Sequence, residues 1–312
     1  MSLGVVFFGN SEGVFSNRHF QALLLAPCVL AGVVDVPSAK RTSTNTRSVE
    51  GSSFVELARA RSIPTFEPAS PNEPDFVEAV RALRPDLFIA VGYMNLLKVE
   101  ILRVPRLLAA NFHASLLPAY RGKHPLFWAL RNGERTVGLT VHVMDPGFDT
   151  GDILYQVRLR TRRSDTVAGV YDRLMVKSVR LVGRLIAHAT KGELRRRPQP
   201  QRGASYFSSV REQDRRLDWL LEAERLRRWI QVSPGQCYSL FGGRKIFFLD
   251  AAVVPRRRSI APGTVVEIGR ESVTIATGRC ALRVGKVRVD QGSERSAPEV
   301  FREQVGEELI WR

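Results

Sequence analysis

Short apolar runs rich in β-branched and aromatic residues recur through the first half of the chain, at 3–9, 29–35, 86–91, 107–113 and 137–144. Between them, near 15–26, 52–61, 73–83 and 123–132, apolar residues return every three or four positions. Continuous apolar runs predict strands buried on both faces, and the 3.6-residue period predicts helices. Their alternation predicts an α/β domain, a mostly parallel sheet with helices on both faces. A longer helix is predicted from the capping signal Ser164-Asp165 through Val167, Val170, Tyr171, Leu174, Leu181, Val182, Leu185 and Ile186 to Gly192. Residues 193–204 combine Pro, Gly and Arg without a period and are expected to be a linker. After a helix near 220–230, β-like segments at 237–241, 245–254, 263–268, 271–277 and 280–288 have the spacing of a small barrel. The expected division is a catalytic-type domain over 1–192, a linker over 193–204 and a β domain over 205–312.

With 312 residues, 44% of them hydrophobic, the chain can bury two cores. It holds no uncharged apolar run of about 18 residues. Nor does it open with a basic segment followed by an apolar one, so neither a membrane partner nor export is expected. Cys28, Cys237 and Cys280 lie apart, among apolar neighbours and with no His beside them. They read as small buried hydrophobes in a reducing cytoplasm. No Cys or His pair has metal-ligand spacing, so no metal is expected.

Charge changes the picture more. A formal net charge of +16 favours a polyanionic partner. The basic residues are clustered at Arg195-Arg196-Arg197 with Arg202, at Arg215-Arg216, at Arg225, Arg227 and Arg228, and at Arg256-Arg257-Arg258. Arginine-rich composition for solubility alone is the competing explanation. The run Val5-Val6-Phe7-Phe8 enters a turn at Gly9-Asn10-Ser11-Glu12-Gly13 without the G-x-G-x-x-G spacing. It is expected to be a strand-turn-helix unit of a nucleotide-binding-like fold that binds no nucleotide.

The candidate chemistry sits near the ends of two of the apolar strands. Strand alternation points Asn111 and His113 to one side of an extended chain, with Phe112 on the other. A Pro146-Gly147 turn stops the run 137–144 and places Asp149 on a loop. Reactive groups in open α/β sheets gather beyond the carboxyl ends of strands, so both ends are expected to converge there. Any one of these residues alone is more often structural. Together, an amide, an imidazole and a carboxylate are parts for acyl transfer to an amine.

These residues also carry a resemblance. Asn-x-His-x-Ser-Leu-Leu-Pro over 111–118, then Arg121-Gly122 with Pro125, then Asp145-x-Gly147-x-Asp149-Thr150-Gly151-Asp152 resembles the folate-dependent formyltransferase family. The likeness is clear over 3–190. It continues weakly through Ser205-Tyr206-Phe207, Leu217-Asp218-Trp219, Arg228-Trp229-Ile230 and Pro234-Gly235. It is closest to the methionyl-tRNA branch and its sugar-modifying relatives. The resemblance implies a Rossmann-like formyltransferase domain followed by a small OB-like β-barrel domain. It implies 10-formyltetrahydrofolate as formyl donor and a primary amine as acceptor.

Formyl transfer to an amine passes through a tetrahedral species bearing an oxyanion and an ammonium. Asn111 would donate to the oxyanion, and His113 would add a second donor or relay the amine's proton. Asp149 would favour the imidazolium and order a water, the three acting as one unit as the resemblance also implies. A pterin ring is best read by backbone groups in a narrow apolar cleft. The resemblance assigns that cleft to Gly92, Tyr93, Met94, Asn95 and Leu96, to Ser115, Leu116, Leu117 and Pro118, and to Asp145, Gly147 and Phe148.

A charged initiator tRNA as acceptor would be gripped through Lys40, Arg41, Arg47, Arg195, Arg196, Arg197 and Arg202. The stretch 35–47 keeps Lys40, Arg41 and Arg47 but lacks the Gly-rich pattern of the tRNA enzymes, and Trp128 is similar to the sugar-modifying relatives. A small amine, such as an aminosugar nucleotide or an amino acid derivative, is therefore the alternative acceptor. Hydrolysis of the donor and a non-catalytic basic binding protein are the other readings.

Overall fold

The run Leu3–Gly9 forms strand β1, an interior strand of a seven-stranded sheet, in a computed structural model that describes residues 2–37, 51–255 and 260–302. Helix α1 (Val14–Leu24), β2 (Cys28–Asp35), α2 (Phe54–Arg59), β3 (Thr65–Phe66), α3 (Pro74–Ala82), β4 (Leu87–Val91), α4 (Val99–Leu102) and β5 (Leu108–His113) follow. Next come β6 (Arg121–Gly122), α5 (Pro125–Asn132), β7 (Thr136–Val143), β8 (Ile153–Arg160), α6 (Val167–Lys191) and β9 (Tyr206–Phe207). The order across the large sheet is β3-β2-β1-β4-β5-β7-β8. β3, β2, β1, β4 and β5 run parallel; β7 is antiparallel to β5, and β8 to β7.

Alternation sorts the side chains. Phe7, Ile89 and Phe112 join a core on one face with Phe20, Phe54 and the α6 residues Leu181 and Leu185. Phe8, Phe88 and Ala109 join the opposite face with Phe76, Val80 and Leu97. Asn111 and His113 continue the second face past the point where Ala109 ends its apolar cluster. The α2 N-terminus carries a complete capping box between Ser53 and Glu56, and α3 opens on a proline.

The chain forms two compact units, the first including 1–129, 136–160 and 168–208. Residues 193–208 therefore group with the first unit. There Arg197 bridges Ile153 and β9 pairs with β6. The second unit contains most of the residues from 209 onward, with 130–135 and 161–167.

In the second unit α7 (Ala223–Val232) is followed by β10 (Tyr238–Phe241), β11 (Arg244–Phe248), β12 (Ala252–Val254), β13 (Val265–Ile268) and β14 (Val273–Ala276). β15 (Ala281–Val284), β16 (Lys286–Val289), β17 (Glu294–Ser296) and α8 (Ala297–Arg302) complete it. The strands form two four-stranded antiparallel sheets, β10-β11-β16-β17 and β12-β15-β14-β13. Leu226, Ile230, Ile246, Phe248, Ile275, Leu282 and Phe301 fill their common core.

The segments 245–254 and 280–288, each expected as one strand, are each broken in two. Asp250 Oδ1 accepts from the Gly285 and Lys286 amides at 2.7 and 3.1 Å and pins the two breaks together. Among the described residues no helix is long and apolar enough to cross a membrane.

Candidate active site

β5 and β7 pair with Asn111 opposite His142 and His113 opposite Thr140. Directly opposed residues share a face, so these four side chains form one polar patch. Because β7 is antiparallel to β5, its carboxyl end does not lie beside that of β5. The expected convergence of two strand ends is replaced by a loop that folds back over the sheet. Met144 N–H donates to Ala109 O at 2.8 Å and Val143 N–H to Asp152 O at 2.8 Å. Asp145 Oδ1 accepts from the Gly147 amide at 3.2 Å and the Thr150 hydroxyl at 2.6 Å. A Cβ at Gly151 would overlap Val143 O, so only glycine lets the returning chain approach this closely. Asp149 itself takes φ +55°, the left-handed region that an aspartate tolerates better than most residues.

The loop brings Asp149 Oδ1 to 3.3 Å from Asn111 Nδ2, 3.5 Å from His113 Nδ1 and 3.3 Å from His142 Nε2. Oδ2 accepts the Gly122 amide at 2.8 Å. Each imidazole is oriented by a carbonyl on its far side. His113 Nε2 donates to Tyr120 O and His142 Nδ1 to Val143 O, both at 2.8 Å. A carbonyl only accepts, so in the neutral rings the remaining nitrogens, His113 Nδ1 and His142 Nε2, carry lone pairs. Asn111 Nδ2 satisfies the second of these at 3.1 Å. His113 Nδ1 is left facing the carboxylate.

Burial pushes the His113 imidazole below its ordinary value, outweighing the opposite pull of Asp149 and of Tyr120 O. Burial alone would raise Asp149, but His113, His142 and the Gly122 amide hold its carboxyl well below the usual carboxylate range. Two of its donors, the Gly122 and Asn111 N–H groups, do not depend on the charge of either ring. Asp149 is thus ionised beside a neutral His113. The carboxylate does draw His113 toward imidazolium, as expected from its charge, yet burial is the larger effect. His113 Nδ1 is therefore able to accept a proton.

The sequence pointed to Asn111, His113 and Asp149, and the structure brings all three together. Three further residues of the site were missed. His142 was legible only from the β5–β7 register, which no sequence period reveals. Gln199 Nε2 holds the Asp149 and Gly151 carbonyls at 2.9 and 2.6 Å from a distant stretch of chain. Tyr120, at φ +59°, turns its carbonyl onto His113 while its N–H donates to Ser205 Oγ at 2.9 Å. For a bulky residue that backbone is strained, as is common where geometry serves a site.

The residues expected to form a pterin cleft separate into two kinds. Met94, Leu96 and Phe148 are 43%, 37% and 61% exposed on loops 92–96 and 145–148, apolar groups suited to the face of a flat ring. Gly92 takes φ +65° in the same loop, and Tyr93 packs edge-on against Phe8. Ser115 and Leu117 are buried. Ser115 Oγ donates to Ala119 O at 2.8 Å, Leu117 N–H donates to Thr140 Oγ1 at 3.1 Å, and Leu116 packs at Gly138. Their segment shapes the turn that ends at Pro118. Asn95 lies half-buried between Met94 and Leu96.

Among the expected phosphate contacts, Lys40, Arg41 and Arg47 lie outside the described residues, as do Arg256, Arg257 and Arg258. Arg195 and Arg202 are exposed. Arg196 reaches Leu107 O at 3.4 Å and Arg197 reaches Gln156 Oε1 at 3.1 Å, ties to the first unit rather than free cations. Arg227 is buried against Glu224. Asp35 has both oxygens engaged, one by the Ser11 and Val36 amides and the other by the Ser11 hydroxyl. Among the described residues no group of three His, Cys, Asp or Glu is placed to hold a metal.

A family model described as formyl transferase matches residues 4–185, and one described as formyl transferase, C-terminal domain, matches 209–304. A methionyl-tRNA formyltransferase of Synechococcus sp. (strain JA-3-3Ab) is 33% identical over 303 residues, covering 94% of this chain and 93% of the relative. One of Pseudomonas paraeruginosa is 31% identical over 299 residues, covering 95% and 94%. Among solved structures, an N-formyltransferase of Helicobacter canadensis in complex with folinic acid and dTDP-3-aminofucose superposes with a TM-score of 0.65. It is 18% identical and covers 91% of this chain and 99% of its own, a likeness of fold.

Proposed function

The chain belongs to the formyl transferase family, and from that premise we propose that it formylates the amino group of methionyl-tRNA with 10-formyltetrahydrofolate as donor. That it is a folate-dependent formyltransferase follows from the family; the acceptor, the donor's exact form and the residue roles are the proposal. The observation that carries it is the meeting of Asn111, His113 and His142 around one oxygen of Asp149. The acceptor is supported by the curated relatives' names and by the net charge of +16.

The reaction forms a bond between the acceptor nitrogen and the formyl carbon and breaks the bond from that carbon to the donor nitrogen. The attacking amine loses a proton and the departing nitrogen gains one. Neutral His113 takes that proton on Nδ1, where Asp149 at 3.5 Å stabilises the imidazolium, and returns it to the departing nitrogen. Asn111 turns one N–H from Asp149 or His142 toward the developing oxyanion, a contribution of about 10²–10³ in rate for a preorganised amide. Met94, Leu96 and Phe148 would hold the face of the donor's ring, and the turn 115–118 would support the wall of the cleft.

The test is to supply 10-formyltetrahydrofolate with charged initiator tRNA in one series and with aminosugar nucleotides in another, and to measure the formylated amine. Formyl-methionine recovered from the tRNA supports this reading. Turnover of the aminosugar alone, the acceptor type suggested by Trp128, replaces it. Release of formate without an acceptor would identify a hydrolase.

A further inference from the structure

Arg121 is only 2% exposed, and among the described residues no carboxylate pairs with it. Its Nε and Nη2 donate to Gln199 Oε1 at 3.2 and 2.8 Å, and its Nη1 donates to the Tyr206 hydroxyl at 2.6 Å. A buried guanidinium with neutral partners is costly, so it is kept for what it connects. On one side, Gln199 passes to the backbone of Asp149 and Gly151. On the other stands Tyr206, whose ring lies over the guanidinium at 5.2 Å and remains 58% exposed.

The same short ladder carries the rest of the site. β6 and β9 pair Arg121 with Tyr206 and Gly122 with Phe207. A Cβ at Gly122 would overlap Phe207 O, and its φ of +92° also demands glycine. Gly122 supplies the amide on Asp149 Oδ2, and Tyr120, just before the ladder, supplies the carbonyl on His113. Phe207 is stacked between Tyr120 at 5.0 Å and 15° and Trp128 at 5.3 Å and 29°. The strand bearing the exposed ring is thus clamped by aromatic stacking and joined to both catalytic side chains.

We propose that Tyr206 is a stacking platform for a nucleobase of the acceptor, and that Arg121 and Gln199 couple its seating to Asp149. An exposed aromatic ring fixed at its hydroxyl and backed by a cation loses little entropy on stacking, and any base offers it a flat face. Exposed Lys123, whose amide donates to Phe207 O at 2.9 Å, and exposed Arg202, just before Tyr206 in the chain, suit the phosphate of a nucleotide. The proposal rests on the acceptor reading above. Its base has two sources, the 3′-terminal adenosine of a charged tRNA and the base of an aminosugar nucleotide.

The experiment is steady-state kinetics of the full-length protein, its Tyr206→Ala variant and its Tyr206→Phe variant, with each acceptor in turn. Tyr206→Ala is expected to raise the acceptor KM about 10-fold, the size of one lost base stack, with the KM for the folate donor unchanged. Tyr206→Phe keeps the ring and loses the hydroxyl on Arg121, so the acceptor KM stays within about two-fold while kcat falls about 5-fold. The acceptor whose KM responds identifies the source of the base. An unchanged acceptor KM in Tyr206→Ala, or native kcat in Tyr206→Phe, overturns the platform or its coupling while leaving the acceptor reading intact. A native protein that formylates no nucleotide-bearing amine removes both.

Discussion

Two buried polar clusters lie on the same sheet and differ in how their hydrogen bonds close. At the end of β1, Asp35 takes the Ser11 and Val36 amides at 2.9 Å each, and Asn17 Nδ2 donates to Ser11 O and Gly13 O at 2.8 Å each. Ser16 Oγ donates to Val91 O at 2.6 Å while accepting the Asn10 amide at 3.0 Å. Each of these donors meets an acceptor, and the cluster is a finished structural knot. Around Asp149 the closure fails by one proton: an ionised carboxylate and the His113 Nδ1 lone pair face each other at 3.5 Å. A polar network satisfied from within rigidifies a fold, whereas one short of a proton is ready to accept it from a substrate.

The largest effect should separate the two carboxylates. Asp149→Asn removes the charge that stabilises imidazolium, and kcat should fall about 10²–10⁴-fold with little change in melting temperature. Asp35→Ala strands the Ser11 and Val36 donors, so it should cost about 1–3 kcal/mol of stability and leave kcat of the folded fraction near native. Denaturant unfolding and initial rates on the two variants check this together. If Asp35→Ala were the catalytic lesion and Asp149→Asn the folding lesion, the comparison would be inverted.

How much of this was legible in the sequence depends on what each residue answers to. β1, β4 and β5 announced themselves because strands buried on both faces must be apolar throughout. Asn111 and His113 stood out as polar residues at the end of such a run. β8, Ile153–Arg160, was not predicted because its burial is partial and its Gln and Arg residues mask the period. The reversal of β7 and the face it shares with β5 were equally hidden, since direction is set by the connection through β6 and α5 and not by local propensity. Gln199 and Tyr206 lay beyond reach for another reason. Their roles come from contacts across some eighty positions, Gln199 from a stretch whose composition signals only a linker and Tyr206 from a two-residue strand whose pairing with β6 no local pattern reveals.

His19 extends the contrast to a buried group with no chemistry. Its Nδ1 donates to Phe15 O at 2.8 Å, its ring stands edge-on to Phe112 on the reverse side of β5, and Nε2 has no partner. Burial pushes its pKa down to about 4 against a small opposing effect of Phe15 O. The unfolded chain binds this proton near pH 6.5 and the native chain only near 4. Stability from this group is therefore complete above pH 6.5 and falls by roughly 3 kcal/mol as the pH drops to about 4. Urea titrations from pH 7 to 4 should show this loss, and His19→Leu should flatten it. An identical acid profile in His19→Leu would place the acid sensitivity elsewhere.

His113, by contrast, should report in the rate. Its pKa is depressed, so the base proposed for the reaction is neutral at pH 7 and is lost as the pH falls through a value below about 6.5. On that acid limb kcat/KM should decline about tenfold per pH unit, and above neutrality it should be flat until the acceptor amine or another group intervenes. A limb centred well above pH 7 would mean that the resting site holds imidazolium and that Asp149 outweighs burial.

The smallest effect bears on the residue that sharpens the comparison most. His142 shares the geometry of His113 around Asp149 Oδ1, at 3.3 Å, yet its lone pair is already answered by Asn111 at 3.1 Å. If closure of hydrogen bonds marks structural groups, His142 is the part of the catalytic cluster that behaves like the Asp35 knot. His142→Phe should then cost only what a misdirected Asn111 amide costs, about 1 kcal/mol or roughly 5-fold in kcat, and leave the acid limb in place. A loss of 10²-fold or more, with the acid limb abolished, would show the proton resting on His142 Nε2, with His113 as the group that orients.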